Sequence, residues 1–241
     1  MDTRIWGPSA WSLLHSIAVQ YPGSKYANNR YTKFFNNLKY ILPCIHCRQS
    51  YVKYIEILPY NETVMQNNYT LSKNIFKIHK KVTNKLSKQG YVVEKTKRHE
   101  VYFKRLQEQN FQYESNNQID IGYTFIGCVV FNYPTNPCIE IKQQYKTFFR
   151  TLSQVYPTKY GKKILKQYLK DKPINDSLGS RTQLVRWFAK SPIIKYTPEY
   201  ELGKSKIPIR KLKEHFESFR AGCKSQSCRK RGQINRKIIL K

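Results

Sequence analysis

Two cysteines three residues apart, Cys44 and Cys47, are the side chains in this sequence best suited to do chemistry. They follow Pro43 and open an amphipathic segment, so both sulfurs are predicted to lie in the first turn of a helix. The N–H groups exposed there favour an anion, and the thiolate is the reactive form of cysteine. His46 lies between them and could add positive charge. This pattern predicts a redox dithiol that closes to a disulfide and reopens.

A zinc site is the alternative, because C-x2-C is also a zinc-ligand spacing. Zinc would need two more ligands, and Cys223 and Cys228 could in principle supply them. Their wider x4 spacing in a basic segment does not favour this, so no metal is predicted. Cys128 and Cys138 are expected to be buried or structural, with a redox role as the alternative.

The elements that must position the dithiol are predicted to be helices. Apolar residues recur at helical spacing in four segments of the first ninety residues, separated by short polar connections. Ser9, after Pro8, is the expected N-cap of the first helix. Residues 91–118 are polar and charged, and within them Val92 to Phe103 could form a short fifth helix or a strand. The pattern predicts an all-α fold built on a four-helix bundle.

The second half of the chain repeats part of the first. With a constant offset of 114, five residues recur: Tyr31, Phe34, Phe35, Leu38 and Pro43 become Tyr145, Phe148, Phe149, Leu152 and Pro157. Chance similarity between two amphipathic, aromatic-rich helices is the alternative. If the repeat is real, Thr158 and Gly161 replace the two cysteines, and the second copy keeps the bundle but not the dithiol. The apolar run 123–131 is then a helix rather than a strand.

The charge of the chain points to anionic partners. Its 241 residues include 44 Lys plus Arg against 15 Asp plus Glu, a formal net charge of +29. A composition that is 40% hydrophobic excludes a disordered polybasic chain. Such a charge attracts nucleic acid or acidic proteins, although no recognised nucleic-acid motif accompanies it. No run is long enough for a membrane span and no secretory signal is recognisable, so we expect a cytoplasmic protein.

A longer constellation surrounds the dithiol. The string Trp6-Gly-Pro-Ser-Ala-Trp11-Ser-Leu-Leu-His15, then a Tyr-Pro pair, then C-x2-C with Tyr51 four residues on, then a helix with His79, resembles the Erv/ALR family of FAD-linked sulfhydryl oxidases. The resemblance covers about residues 4–90. It implies a helical bundle that binds FAD and oxidises thiols of protein substrates to disulfides, with O2 reduced to H2O2. The basic second half resembles the versions carried by large DNA viruses.

The resemblance also implies roles for individual residues. Cys47 matches the cysteine next to the flavin, and Cys44 matches the interchange cysteine that receives electrons from outside. The implied FAD contacts are Arg4, Gly7, Pro8, Trp11, His15, Tyr51, His79, Val82, Thr83, Leu86 and Lys88. The chain departs from the family where Lys80 and Thr83 replace two asparagines. It also has no counterpart of a later structural cysteine pair between residues 88 and 127.

The predicted organisation has three parts: an Erv-like domain over 1–105, a helical domain over 106–210 that the repeat would make a degenerate second copy, and a basic tail over 211–241. Cys223 and Cys228 in that tail are candidates for a shuttle disulfide between substrate and dithiol. The second copy could replace a partner bundle within one chain, or the first domain could form homodimers. The expected location is the host cytoplasm or a viral factory, or the virion. The alternative function is a basic, nucleic-acid- or virion-associated structural protein with little turnover.

Overall fold

The computed structural model describes residues 1–90, 98–194 and 208–220, and all the regular secondary structure in these ranges is helical. Their ten α-helices are α1 (Thr3–Val19), α2 (Lys25–Ile41), α3 (Ile45–Ile57), α4 (Asn68–Lys88), α5 (His99–Ser115), α6 (Tyr123–Phe131), α7 (Ile139–Val155), α8 (Lys159–Asp171), α9 (Arg181–Phe188) and α10 (Ile209–Glu217). Short 3-10 turns, Val64–Gln66 and Ile174–Ser177, precede α4 and α9. The described ranges contain no strand, which confirms the predicted all-α class. In these same ranges, no helix combines the length and the apolar character needed to span a bilayer.

The first helix begins earlier than the sequence suggested. The carboxylate of Asp2 accepts the backbone N–H of Arg4 at 2.9 Å and caps α1, which then continues through Pro8. The prediction that Ser9 caps this helix is wrong, because a better cap lies seven residues upstream. The Ser9 hydroxyl instead accepts the backbone N–H of Phe125 at 3.2 Å and so ties α1 to α6.

The dithiol helix is positioned by its neighbours in the first half. Pro43 follows the end of α2, and Cys44 is the N-cap of α3. Helix α3 packs mainly against α2, whereas α4 packs along α1. Residues 99–115 form the fifth helix, so the described part of the stretch 92–103 is helical and not a strand. Helix α5 covers α1 and α4 and runs through the predicted domain boundary at 105/106.

Two consecutive helices of the second half reproduce two helices of the first in register. Helices α2 and α7 are both 17 residues long and begin 114 residues apart; α3 and α8 are both 13 residues long and also begin 114 residues apart. The run 123–131 is helical, as the repeat predicted. A coincidence of two amphipathic helices would not preserve the length of the connection between them.

Side-chain contacts are repeated as well. Tyr21 and Tyr31 pack edge to face with ring centroids 4.8 Å apart, and Tyr133 and Tyr145 do the same at 4.5 Å. In each half the first tyrosine donates a hydrogen bond to a carbonyl at the following 3-10 turn, that of Met65 or of Leu178. These matched contacts favour a true internal repeat over chance.

The two halves share one hydrophobic core. Helix α2 packs against α7, and α1 against α6. Phe34 stacks on Phe148, its own counterpart in the repeat, with ring centroids 5.9 Å apart. Across the same interface, the Asn37 side-chain amide donates to Gln144 Oε1 at 2.6 Å. Because both phenylalanines are completely buried, neither half exposes this face to water.

The second copy has no thiols at the position of the dithiol. Thr158 caps α8 by accepting the Gly161 N–H at 3.0 Å. A Cβ atom at Gly161 would clash with the ring of Tyr156, so a cysteine could not simply be restored there. Cys128 is buried, Cys138 is half-buried, and both are free thiols, which agrees with a structural role.

Candidate functional site

Cys44 lies where a helix N-terminus stabilises a negative charge. It precedes the first turn of α3, and its half-buried sulfur faces that of Cys47. The hydrogen bond from the Cys47 thiol, helped by the backbone N–H groups of Cys47 and His46, lowers the pKa of Cys44 to about 5 although burial opposes it. The reduced pair therefore carries its thiolate on Cys44 at neutral pH.

Cys47 has the opposite tendency while the pair is reduced. Its hydrogen bond to Cys44 and its burial raise the pKa of this thiol, whereas Thr3 and Lys85 act to lower it. Thr3 Oγ1 lies 3.5 Å from Cys47 Sγ. The Lys85 ammonium donates to Ser50 Oγ at 2.7 Å, which holds this cation from α4 against α3 one turn beyond Cys47. Thr3 and Lys85 would favour a thiolate on Cys47 once Cys44 is no longer an anion.

A cluster of rings lies further along α1 and α4. His79 stacks on Trp11 with ring centroids 4.0 Å apart and 13° between their planes, and His15 Nε2 lies 3.0 Å from His79 Nδ1. Tyr102 of α5 packs edge-on against His15 at 4.8 Å. Burial lowers the pKa of His15 well below its usual value and that of His79 to about 4. Both imidazoles are therefore neutral at pH 7.

The face between the dithiol and this ring cluster suits a flat, mostly aromatic group such as the implied FAD. Thr3, Gly7 and Trp11 are one helical turn apart on α1 and link Cys47 to His79 over roughly 12 Å. A Cβ atom at the buried Gly7 would meet nothing closer than the Thr3 methyl, at 3.8 Å. His15 Nδ1 is buried without a hydrogen-bond partner. On α4, three further candidates are only half-buried: Val82, Thr83 and Leu86. These residues fit the cofactor.

The packing of Trp11 and His79 restricts how a cofactor ring could lie. A ring inserted between them would need roughly 7 Å between their planes, twice an aromatic contact distance. Their centroids are only 4.0 Å apart. A planar group therefore does not fit between Trp11 and His79 as they are packed.

The remaining candidates are Arg4, Pro8, Tyr51 and Lys88. Arg4 is exposed and pairs with the Asp2 carboxylate at 2.6 Å, and Pro8 and Lys88 are also exposed. The buried Tyr51 hydroxyl lies 2.7 Å from that of Tyr60 and donates to Phe35 O at 3.0 Å. The hydroxyl oxygen of Tyr51 therefore already has hydrogen-bond partners within the protein core. Whether these four residues touch a cofactor stays a prediction. Cys223 and Cys228 lie outside the described residues.

Sequence reasoning missed three site residues, Thr3, Lys85 and Tyr102. Each meets its partner only through the tertiary fold, and no local motif marks it. The candidate zinc ligands Cys223 and Cys228 cannot be placed. Across the described ranges, no three His, Cys, Asp or Glu side chains come together in a way that could hold a metal ion.

Comparisons with known proteins point to the same segment. Residues 8–104 match the model of the Erv1 / Alr family. The probable FAD-linked sulfhydryl oxidase of Acanthamoeba polyphaga mimivirus is 32% identical over 81 residues, which are 33% of this chain and 57% of that protein. The mitochondrial FAD-linked sulfhydryl oxidase of Saccharomyces cerevisiae is 32% identical over 89 residues, 36% of this chain and 46% of that protein.

The chain thus spans about half the length of the curated relatives it matches. No solved structure matches it. The matched residues contain the dithiol and the ring cluster of Trp11, His15 and His79 described above, whereas Thr3 and Gly7 precede the matched segment. The similarity to the Erv1 / Alr family is therefore confined to residues 8–104, less than half of the chain.

Proposed function

We propose that this protein is an FAD-dependent thiol oxidase that forms disulfides in protein substrates and passes the electrons to O2, giving H2O2. The observation that carries the proposal is the half-buried Cys44–Cys47 pair at the start of α3, next to a face of α1 and α4 that fits a flat cofactor. The family match over residues 8–104 and the names of the two relatives support it.

The residues of the chain would carry out thiol exchange. A substrate thiolate attacks Cys44 in the Cys44–Cys47 disulfide, forms a mixed disulfide and releases Cys47 as a thiolate. At that moment Cys44 holds no charge, so Thr3 and Lys85 are the groups that stabilise the anion on Cys47. A second substrate thiolate attacks the sulfur of the first, which releases the oxidised substrate and leaves Cys44 as a thiolate. Bound FAD would supply the two-electron acceptor that regenerates the disulfide and reacts with O2.

The decisive test is the colour and oxygen consumption of the purified protein. We expect a yellow protein that consumes O2 in the presence of dithiothreitol. Cys47→Ala should keep the flavin and lose the oxidase activity, whereas Cys138→Ala, which removes another half-buried thiol, should keep both. A colourless protein that does not take up added FAD would refute the proposal.

Cys223 and Cys228 are proposed as the shuttle pair. Their neighbours Lys224, Arg229 and Lys230 would favour thiolates in this segment. The double variant Cys223→Ser/Cys228→Ser should oxidise dithiothreitol normally but a protein dithiol more slowly. Equal loss with both substrates, or no loss with either, would contradict a shuttle role.

The second half is proposed to be a degenerate duplicate that takes the place of a partner bundle. A residue that contacts its own counterpart, as Phe34 contacts Phe148, is typical of two-fold packing. Another repeated contact supports duplication: Asn74 donates to Leu58 O at 3.2 Å, and Trp187 donates to Lys172 O at 3.0 Å. We expect a monomer by light scattering; a dimer that persists on dilution would favour homodimerisation of the first half.

The net charge of +29 supports an additional contact with nucleic acid, in the host cytoplasm, a viral factory or the virion. Counterion release would make such binding fall steeply with salt. Duplex DNA binding measured between 50 and 200 mM salt tests this. A flavin-free protein with steep, tight DNA binding would instead favour the alternative of a structural protein with little turnover.

A further inference from the structure

Arg48, the residue that follows Cys47, is a buried cation next to the dithiol. Only 8% of the residue is exposed, and its Nη1 donates to the carbonyl of Leu42 at 2.9 Å. It lies one helical turn after Cys44 on α3, so the two side chains share a face of the helix. Burial lowers the pKa of Arg48, while nearby Tyr145 and thiolates at Cys44 and Cys47 raise it.

Within the part of the chain that the structure describes, no carboxylate forms an ion pair with Arg48. The ion pairs among the described residues involve other arginines, namely Arg4, Arg210 and Arg220. A buried charge without a counter-ion destabilises the folded protein. The negative charge that the dithiol offers to Arg48 is a thiolate, and it exists only while the dithiol is reduced.

The second copy provides a contrast at the equivalent position. Offset by 114 residues, Arg48 corresponds to Lys162 of α8, and the cysteines correspond to Thr158 and Gly161. Burial lowers the pKa of Lys162, but the carboxylate of Glu114 acts in the opposite direction. The half without a dithiol therefore keeps its cation near a carboxylate, and the half with a dithiol does not.

We propose that Arg48 is a positioning residue that makes the Cys44–Cys47 disulfide more oxidising, because its buried charge is compensated only when the disulfide opens. The inference rests on the proposed thiol oxidase function and adds to it the residue that sets the driving force for accepting electrons from substrates.

The reaction concerned is reduction of the disulfide by a thiol such as glutathione. Two glutathione molecules and the protein disulfide give one glutathione disulfide, one thiolate on Cys44, one thiol on Cys47 and one released proton. The S–S bond of the protein breaks and that of glutathione disulfide forms, so two electrons move to the protein. Arg48 stabilises the product side, where the thiolate appears.

The test is the equilibrium of the full-length protein with glutathione buffers, with the state of Cys44 and Cys47 quantified by mass spectrometry after thiol trapping. Arg48→Met should lower the equilibrium constant for reduction about tenfold, which corresponds to about 30 mV for two electrons. Arg48→Lys should keep most of the wild-type value. Lys162→Met, the matched change in the second copy, should leave the constant unchanged.

Urea unfolding of the oxidised and the reduced protein distinguishes this proposal from a purely structural role of Arg48. Loss of the bond to Leu42 alone predicts equal destabilisation of the oxidised and reduced proteins in urea, whereas the proposal predicts that Arg48→Met destabilises the reduced protein more than the oxidised one. Equal effects on both forms, or the same equilibrium constant for Arg48→Met and Lys162→Met, would overturn the inference. If Arg48→Met does not fold, Arg48→Lys and Arg48→Gln provide the same comparison.

These measurements need neither flavin nor oxygen. A protein that binds no FAD but shows the tenfold shift would refute the proposed oxidase function and keep the inference about Arg48. A yellow, active oxidase in which Arg48→Met leaves the equilibrium constant for reduction unchanged would support the oxidase function and refute the inference about Arg48.

Discussion

At the scale of single residues, the two sulfurs of the dithiol differ in the groups that stabilise their charge. Cys44 accepts hydrogen bonds from its partner thiol and from the N-terminal backbone of α3. Cys47 relies on Thr3 of α1 and on Lys85 of α4, which come from distant parts of the chain. The negative charge can therefore be held on either sulfur, but by different parts of the structure.

The first prediction concerns the reactivity of Cys44 in the reduced protein. Because its pKa is lowered to about 5, its alkylation rate by iodoacetamide should be near its plateau at pH 7 and should fall only towards pH 5. Cys47→Ala, which removes the thiol donor, should move this fall to higher pH, whereas Cys47→Ser keeps a hydroxyl donor and should move it less. Mass spectrometry of the Cys44 peptide measures the rates.

The same shift has a consequence for stability. A depressed pKa stabilises the folded state above the pKa of the unfolded thiol, near 8.5, and this contribution is lost as the pH falls to about 5. The advantage of reduced wild type over Cys44→Ser in urea should therefore shrink from pH 8 to pH 5. A constant difference over that range would contradict a lowered pKa.

A second prediction concerns Lys85. Replacing it by methionine removes the cation next to Cys47, so reduction of the disulfide by dithiothreitol should slow about threefold to fivefold, the effect of roughly 1 kcal/mol for a partly exposed charge. Lys77→Met removes an exposed lysine of the same helix and should not change the rate. Stopped-flow mixing measures both; equal rates for the two variants would exclude the role of Lys85.

The sequence predicted the site only where local spacing carries the information. Cys44 and Cys47 are recognisable because their C-x2-C spacing is itself the motif, and Trp11 and His15 because they form one helical string. Lys85 is one of 44 basic residues, and nothing local distinguishes it. Its importance comes from a contact with Ser50, 35 residues away.

At the scale of elements, α5 is held by aromatic rings. His99 at its start packs against Phe76 and Tyr69 of α4 and lies 3.2 Å from the Ser72 hydroxyl. No described disulfide secures this helix. The sequence left the segment open because its charged residues obscure the helical period, and no role was assigned to His99.

The third prediction follows from the neutral histidines that connect α1, α4 and α5. Burial lowers the pKa of His79 to about 4. Above pH 6.5 the imidazole is neutral in both the folded and the unfolded protein. Between pH 6.5 and about pH 4 it is protonated in the unfolded chain but stays neutral in the folded one, so the unfolding free energy decreases as the pH falls. This loss amounts to about 3 kcal/mol for one such histidine.

The measurement is urea unfolding between pH 7 and pH 4. His79→Gln should flatten the pH dependence of the unfolding free energy, although His15 still contributes to it. His46→Gln, which changes an exposed histidine, should leave the slope as in wild type. An unchanged slope in His79→Gln would contradict a buried, neutral imidazole.

At the scale of the whole molecule, one core joins two similar halves. The repeat was visible in the sequence because α2 and α7 keep their aromatic residues in register. The packing of the two halves against each other was not, because complementary faces of helices have no signature in a linear sequence. The contact of Phe34 with Phe148 in the structure shows that positions repeated in the sequence also form the interface between the halves.

The fourth prediction is that the halves unfold together. Phe148→Ala removes a completely buried ring at the centre of this interface and should lower the unfolding free energy by about 3 to 5 kcal/mol. Circular dichroism and the fluorescence of Trp187 should report the same shifted transition. Phe111→Ala, at a residue that is 74% exposed, is the control. Two separate transitions in the wild type would show that the halves are independent.

In the second half, Tyr156, Thr158 and Gly161 pack tightly where the repeat places the dithiol. This packing affects the expected number of redox centres per chain. Twin centres in a symmetric pair could alternate or inhibit one another, but a polypeptide with one dithiol in its described bundles has nothing to alternate with. A reductive titration should therefore show a single class of non-interacting sites at the α3 terminus. The two halves are therefore similar in their helices, but the dithiol chemistry is confined to the first half.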